Sequence, residues 1–289
     1  MKLDYRPIDY RTWCLGNEAR GGVNIKRLGL LNQGETRLFD YFSTKNGIIK
    51  QDLRDDPGQA EIVTYFTIIL LPYSPGSIRE IAVPSAICHD TGWEMEDPTS
   101  WKKLVYSMTP EEVAEKKEEL RRAHQEKGGD NVIISTKAVN YPAKRYRKEI
   151  EEIVRDHDTR YNEPTPSSRA MMDGDILWRF TMACMISSKY PGENSLWPRV
   201  PRYINFQTAN PIREVMDSPE RILKYMQKDE LEIVDNNGRP NRFYIPESYK
   251  IARIELVNTI FNLFSDKAEN LLRKDFSSEL EQVVEFYKK

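Results

Sequence analysis

The chain carries only three histidines, His89, His124 and His157, and each falls at the end of a predicted helix or on its inward stripe. His89 is followed directly by Asp90 in Ala86-Ile87-Cys88-His89-Asp90-Thr91-Gly92-Trp93, so imidazole and carboxylate stand side by side where a helix ends before a glycine. Asp175, in Asp173-Gly174-Asp175-Ile176-Leu177-Trp178, lies between Met171 and Trp178 on an otherwise apolar face. Asp173 is the alternative inward carboxylate if that helix starts late, but Leu177 and Trp178 set the register for Asp175. Four consecutive helices thus point His, Asp, His, His and Asp at one interior. Neutral imidazoles with carboxylates suit a divalent transition ion such as Mn, Fe, Zn, Co or Ni, one or two per chain. A charged Asp on a buried face needs such a partner to offset its desolvation. Each residue also has a plainer reading: a helix cap for His89, a part-exposed helix position for His124 among Arg121, Arg122 and Gln125, and a core imidazole bonded to a backbone carbonyl for His157. The order of all five favours a metal site over five separate coincidences.

These residues need helices to position them. Apolar residues at Ile62, Val63, Phe66, Ile69 and Leu70 recur at helical spacing over 58–72. A second helix is expected over 77–88, with Pro84 inside it as a possible kink. Thr109-Pro110-Glu111-Glu112 reads as a capping box that opens a helix reaching at least His124. Further helices are expected over 145–157, 167–187, 211–227, 248–271 and 275–288, with a short one near 35–43. The stretch 231–245 holds an Asn-Gly turn signal and predicts a small two-stranded β-ribbon. The fold class is therefore all-α. The expected division is an N-terminal extension (1–50), a helical core with the site (51–190) and a C-terminal helical extension (191–289) that belongs to the same domain.

Composition narrows the partners. The 289 residues hold 43 Lys+Arg against 45 Asp+Glu, a formal net charge of −2, which gives no polybasic surface for a nucleic-acid backbone. With 39% hydrophobic and 10% aromatic residues, the chain can bury a core and is not of disordered composition. Cys14, Cys88 and Cys184 are too few and too scattered for a disulfide framework or a zinc ribbon, which suits a reducing compartment. Ile62 to Tyr73 is the longest apolar stretch and is too short to span a bilayer, and the N-terminus lacks the apolar core of a signal peptide. A soluble, cytoplasmic protein is expected.

Four ordered segments resemble the HD-domain superfamily of metal-dependent phosphohydrolases. Ala86 to Trp93 is similar to that family's AxxHDxGW segment, and Arg121-Arg122-Ala123-His124 with Gly128 to its RxxHxxxG segment. Val154-Arg155-Asp156-His157-Asp158-Thr159-Arg160 resembles its HDTR form, and Met172 to Phe180 its DADxLWRF segment. The resemblance covers roughly residues 50–190. It implies a helical bundle in which His89, Asp90 and Asp175 hold the principal ion, with His124 and His157 on a second ion or the substrate phosphate. The family's first His is replaced here by Gln59, with Val63 four residues later; Gln59 at the head of its stripe still faces the site, as a poorer ligand than imidazole.

The function expected from the resemblance is hydrolysis of a phosphate ester, a nucleotide or another small phosphorylated metabolite, by a metal-activated water. Asp90, His124 and Arg160 are the expected catalytic groups. Arg160, Arg169 and Arg179 are near enough in sequence to meet a phosphate, although each also suits a surface ion pair. The rival expectations are a di-iron oxygenase and a helical scaffold that binds a ligand or partner without chemistry. Gln59 favours the last. The stripe Ile254, Val257, Phe261 and Phe264 packs on its own domain in a monomer or on a second subunit in a homodimer.

Overall fold

Ile81 to Cys88 are eight consecutive buried residues of one short helix. A helix apolar on every side cannot lie on a surface, so the bundle is built around it. The structure, a computed structural model, describes residues 3–10, 25–45, 59–92, 109–159, 162–182, 184, 219–232, 243–264 and 266–289. Its helices are α1 (Gln33–Lys45), α2 (Gln59–Leu70), α3 (Arg79–Cys88), α4 (Pro110–Ala138), α5 (Lys144–Asp156), α6 (Pro166–Trp178), α7 (Pro219–Tyr225, continued by a π-helical turn to Leu231), α8 (Pro246–Phe264), α9 (Asp266–Asp275) and α10 (Ser277–Lys288). There is no strand among the described residues, so the fold is all-α. No helix of the described residues is long and apolar enough to cross a membrane.

The central helix is α3, which packs against α2, α4, α5 and α6. Pro84 lies inside it without ending it. The Thr109 capping box forms as expected, with Thr109 Oγ1 accepting from the Glu112 amide and Glu112 Oε2 from the Thr109 amide. A second polar cap joins α1 to the core: the Glu35 carboxylate is fully buried and receives Nε and Nη2 of Arg79 at 2.8 and 2.7 Å.

Two expectations from the sequence need correction, and a third falls mostly outside the described residues. The helix predicted over 167–187 ends at Trp178, because the amides of Arg179, Phe180 and Thr181 turn back to the carbonyls three residues earlier. Phe180 is then buried, and its carbonyl accepts from Thr259 Oγ1. The helix predicted over 248–271 is two helices, since the chain turns after Phe264 and α9 packs back on α8 with Ala268 and Leu272 buried. The β-ribbon expected over 231–245 falls mostly on residues outside the described ones; Leu231 ends the π-helical turn, and Phe243 to Ile245 lead irregularly into α8.

Among the described helices α2 and α6 share the most extensive interface, and Gly174 lets them approach. A Cβ there would stand 2.8 Å from Thr67 Oγ1 and 2.9 Å from the Val63 carbonyl oxygen. Gly174→Ala therefore forces the two helices apart. The expected cost is about 1–3 kcal/mol, a fall of roughly 2–4 °C in Tm per kcal/mol. Thermal melts would check it, and an unchanged Tm would show that the helices can separate freely.

The C-terminal helices are fixed by two buried carboxylates. Asp173 on α6 accepts from the amides of Tyr244 and Ile245 and from Ser248 Oγ at 2.9, 2.8 and 2.7 Å, and so holds the start of α8. Glu255 on α8 is fully buried. Tyr5 Oη and the Ile8 amide donate to its Oε1, while Tyr10 Oη and Asn258 Nδ2 donate to its Oε2. Burial pushes the Glu255 carboxyl above its ordinary range, against the hydrogen bonds that hold it down. Residues 3–10 are in this way strapped onto α8 and α10, where Gln282 Nε2 also donates to the Tyr5 carbonyl.

Candidate metal centre

Two helices end at the same place. His89 is the C-terminal cap of α3 and His157 that of α5, and the partial negative charge at such ends favours a cation between them. The two imidazoles are oriented alike: Nδ1 of His89 meets the Ala86 carbonyl, and Nδ1 of His157 the Val154 carbonyl, each at 2.7 Å. A carbonyl only accepts, so both Nδ1 atoms carry the hydrogen. Each Nε2 is thereby left to face the cluster, the arrangement usual for imidazole ligands.

His124, on α4, brings its Nε2 to 3.4 Å from that of His157. Asp90 lies between the rings. Its Oδ2 is 3.3 Å from His89 Nε2, and its Oδ1 is 3.7 Å from His124 Nε2 and 3.5 Å from His157 Nε2. Asp175 Oδ1 is 3.7 Å from His89 Nε2. All three histidines are buried, and Asp90 and Asp175 nearly so. The structure thus brings together five residues singled out in the sequence, and Asp90, His124 and His157 stand as a group able to hold an ion.

Gln59, the first residue of α2, is buried and reaches the same cluster. Its amide nitrogen donates to Asp175 Oδ1 at 3.3 Å, so the group presented to the site is the NH2 and not the oxygen a metal would take. Arg160 lies outside the described residues. Arg169 pairs with Glu163 and the Pro164 carbonyl on the surface, and Arg179 begins the turn after α6.

One member of the cluster was not singled out in the sequence. Asp158 Oδ2 lies 3.4 Å from His124 Nε2 and 3.9 Å from His157 Nε2. A signal for it exists: the tripeptide His-Asp-Thr occurs at 89–91 and again at 157–159, each time just past a helix. Both turns are held by the helix between them. Asn131 Nδ2 donates to the Thr91 carbonyl, and Gln125 Nε2 to Thr159 Oγ1 and the Arg155 carbonyl. Gly92 and Gly128 let the first turn approach α4, since a Cβ on Gly92 would collide with the His124 carbonyl.

The electrostatics are those of a crowded anionic pocket. Burial opposes a charge on His89, but the Asp90 carboxylate beside Nε2, with Asp175, pushes its pKa up to about 9. His157 is likewise raised by Asp158 and Asp90 despite burial. Burial works against the charged form of Asp158, yet His157 and His124 hold its carboxyl well below the usual carboxylate range. Three carboxylates and three ring nitrogens meet there, and the Arg121 guanidinium also helps to keep Asp158 charged. His89 Nε2 is buried and faces only the carboxylates of Asp90 and Asp175 among the described residues, at 3.3 and 3.7 Å and without good hydrogen-bond geometry, a place that a bound ion would satisfy. The donor set fits a divalent transition metal. The chain matches no family model, no curated protein and no solved structure.

Proposed function

We propose that the chain is a metal-dependent hydrolase of phosphate esters, acting on a nucleotide or another small phosphorylated metabolite. The observation that carries this reading is the convergence of three buried Nε2 atoms on Asp90, Asp158 and Asp175. His89, Asp90 and Asp175 on one side, and His124 and His157 with Asp90 on the other, would hold one or two ions. A bound divalent ion supplies a Lewis acid for a phosphoryl oxygen and a water of lowered pKa.

The chain's own residues prepare that site. The Nδ1 bonds to Ala86 and Val154 fix two rings before any ion arrives, which lowers the ordering cost of binding. Burial of the rings keeps bulk water from their Nε2 atoms, while the Asp158 side chain is 29% exposed.

The test is phosphate release. Protein loaded separately with Mn, Fe, Co, Ni or Zn should release inorganic phosphate from at least some nucleoside monophosphates or sugar phosphates, lose that activity with a chelator and regain it on metal return. No release from any ester, by protein whose metal content is confirmed by mass spectrometry, would end the hydrolase reading. A chain that takes up no metal would instead use the pocket as a binding scaffold, the reading that the Gln59–Asp175 hydrogen bond favours.

A further inference from the structure

The overall charge of −2 hides a local excess. Residues 131–148 hold no carboxylate and five cations, Lys137, Lys144, Arg145, Arg147 and Lys148, and they lie where α4 turns into α5. Four of the five fall within the first five positions of α5, whose first turn holds no acid, although the positive end of the helix dipole disfavours cations there. The acids that follow do not offset them. Glu149 accepts from Thr165 Oγ1, Glu151 pairs with Arg155, and Glu152 lies 3.6 Å from Lys148. Among the described residues Lys137, Lys144, Arg145 and Arg147 form no ion pair, and Lys137, Lys144, Arg145 and Lys148 are exposed. Like charges that the fold neither needs nor neutralises break local consistency, as binding surfaces do.

Two part-exposed rings, Tyr141 and Tyr146, lie among these cations. The Arg145 guanidinium stands 4.7 Å from the centre of the Tyr146 ring and donates to its hydroxyl at 2.8 Å. Arg147 is turned back onto the hairpin, donating to the Pro142 carbonyl and Asn140 Oδ1. Cations interleaved with aromatic rings suit a polyanion whose units also stack, which is single-stranded nucleic acid. An acidic peptide supplies the charge without the bases. A bilayer needs an apolar face to insert, and that of α5, Ile150, Ile153 and Val154, is buried in the bundle.

We propose that the α4–α5 hairpin, through Lys137, Lys144, Arg145, Lys148 and the Tyr146 ring, is a binding surface for single-stranded nucleic acid, held by its phosphates without regard to sequence. The surface is separate from the metal cluster: Lys144 and His157 stand at opposite ends of α5, about 20 Å apart along the helix. It does not depend on whether the cluster holds an ion.

Fluorescence anisotropy of a labelled oligothymidylate of about twenty nucleotides, with EDTA present to silence metal chemistry, tests it on the full chain. Wild-type protein should bind with a Kd of about 1–100 μM near physiological salt, and with about four phosphates engaged the affinity should fall about 50-fold between 50 and 200 mM salt. Lys144→Glu/Arg145→Glu should weaken binding about tenfold or more and flatten the salt dependence. Its Tm should stay level or rise, because acids suit the start of a helix; a misfolded variant could not combine the two. Tyr146→Leu should weaken binding about fivefold or more through lost stacking, at an unchanged salt slope. The proposal is overturned if the oligonucleotide does not bind at low salt or if either variant binds as tightly as wild type. Tighter binding of polyglutamate or of phosphatidylserine vesicles than of the oligonucleotide also overturns it, and assigns the surface to an acidic peptide or a lipid surface.

Discussion

Asp90→Asn should strip the protein of metal. Its two carboxylate oxygens serve both halves of the cluster, within 3.3 Å of His89 Nε2 on one side and 3.5 Å of His157 Nε2 on the other. Asp90 approaches all three imidazoles, whereas Asp158 approaches two and Asp175 one. Asparagine keeps the volume, removes the charge and leaves a single oxygen for two directions. Loss of a group behind a ligand costs 10–100-fold in affinity, so loss of a shared ligand should cost on the order of 100-fold or more. Metal content of the purified protein would fall below about a tenth of wild type, and added metal would no longer raise Tm. For the wild type, an ion at a hundred times its Kd should stabilise the fold by about 2.7 kcal/mol. Equal metal content in the two proteins would show that Asp90 is not a ligand.

The second large effect lies far from the cluster. Glu255→Leu should destabilise the fold by about 3–5 kcal/mol, because the Tyr5 hydroxyl and the Ile8 amide lose the acceptor they share while staying buried. Tyr10 and Asn258 keep other partners in Thr259 and the Ile8 carbonyl, so the sum stays below that of four orphaned donors. Glu255→Gln retains one oxygen, and the neutral hydroxyl of Tyr10 can reverse its bond; the expected loss is about 1 kcal/mol. Urea unfolding of the two variants measures the difference. If both lose the same amount, the hydrogen bonds are not what the carboxylate contributes.

The contrast between these sites shows what the sequence makes legible. The all-α class and the capped start of α4 could be read directly, because helical spacing and capping are local; His124 and Asp175 lie within helices, while His89, Asp90 and His157 stand just past helix ends and are marked by the scarcity of histidine and by the His-Asp pair. Asp158 was passed over although His-Asp-Thr is repeated, since a carboxylate in a turn looks like any solvated turn residue until the turn is folded against α4. The separate tasks of Asp173 and Asp175 were equally hidden. Two positions apart on one helix, they point to different neighbours, and Tyr244 to Ser248 had to be in place before Asp173 had work to do. Glu255 stood beside an apolar stripe with nothing to mark it. Its donors belong to residues 5, 8 and 10, beyond the reach of any local pattern. The end of α8 at Phe264 escaped notice for the same reason, because α9 folds back for contacts with α8 that periodicity does not record.

The strap formed by residues 3–10 also has a place in time. The Tyr5–Glu255 bond joins residues 250 positions apart. During synthesis at roughly 5–20 residues per second, segment 3–10 waits on the order of ten to fifty seconds for the helix that will hold it. Until α8 is made, Tyr5, Ile8 and Tyr10 lack the carboxylate and the helix faces that bury them, so the strap closes only once residues far along the chain exist.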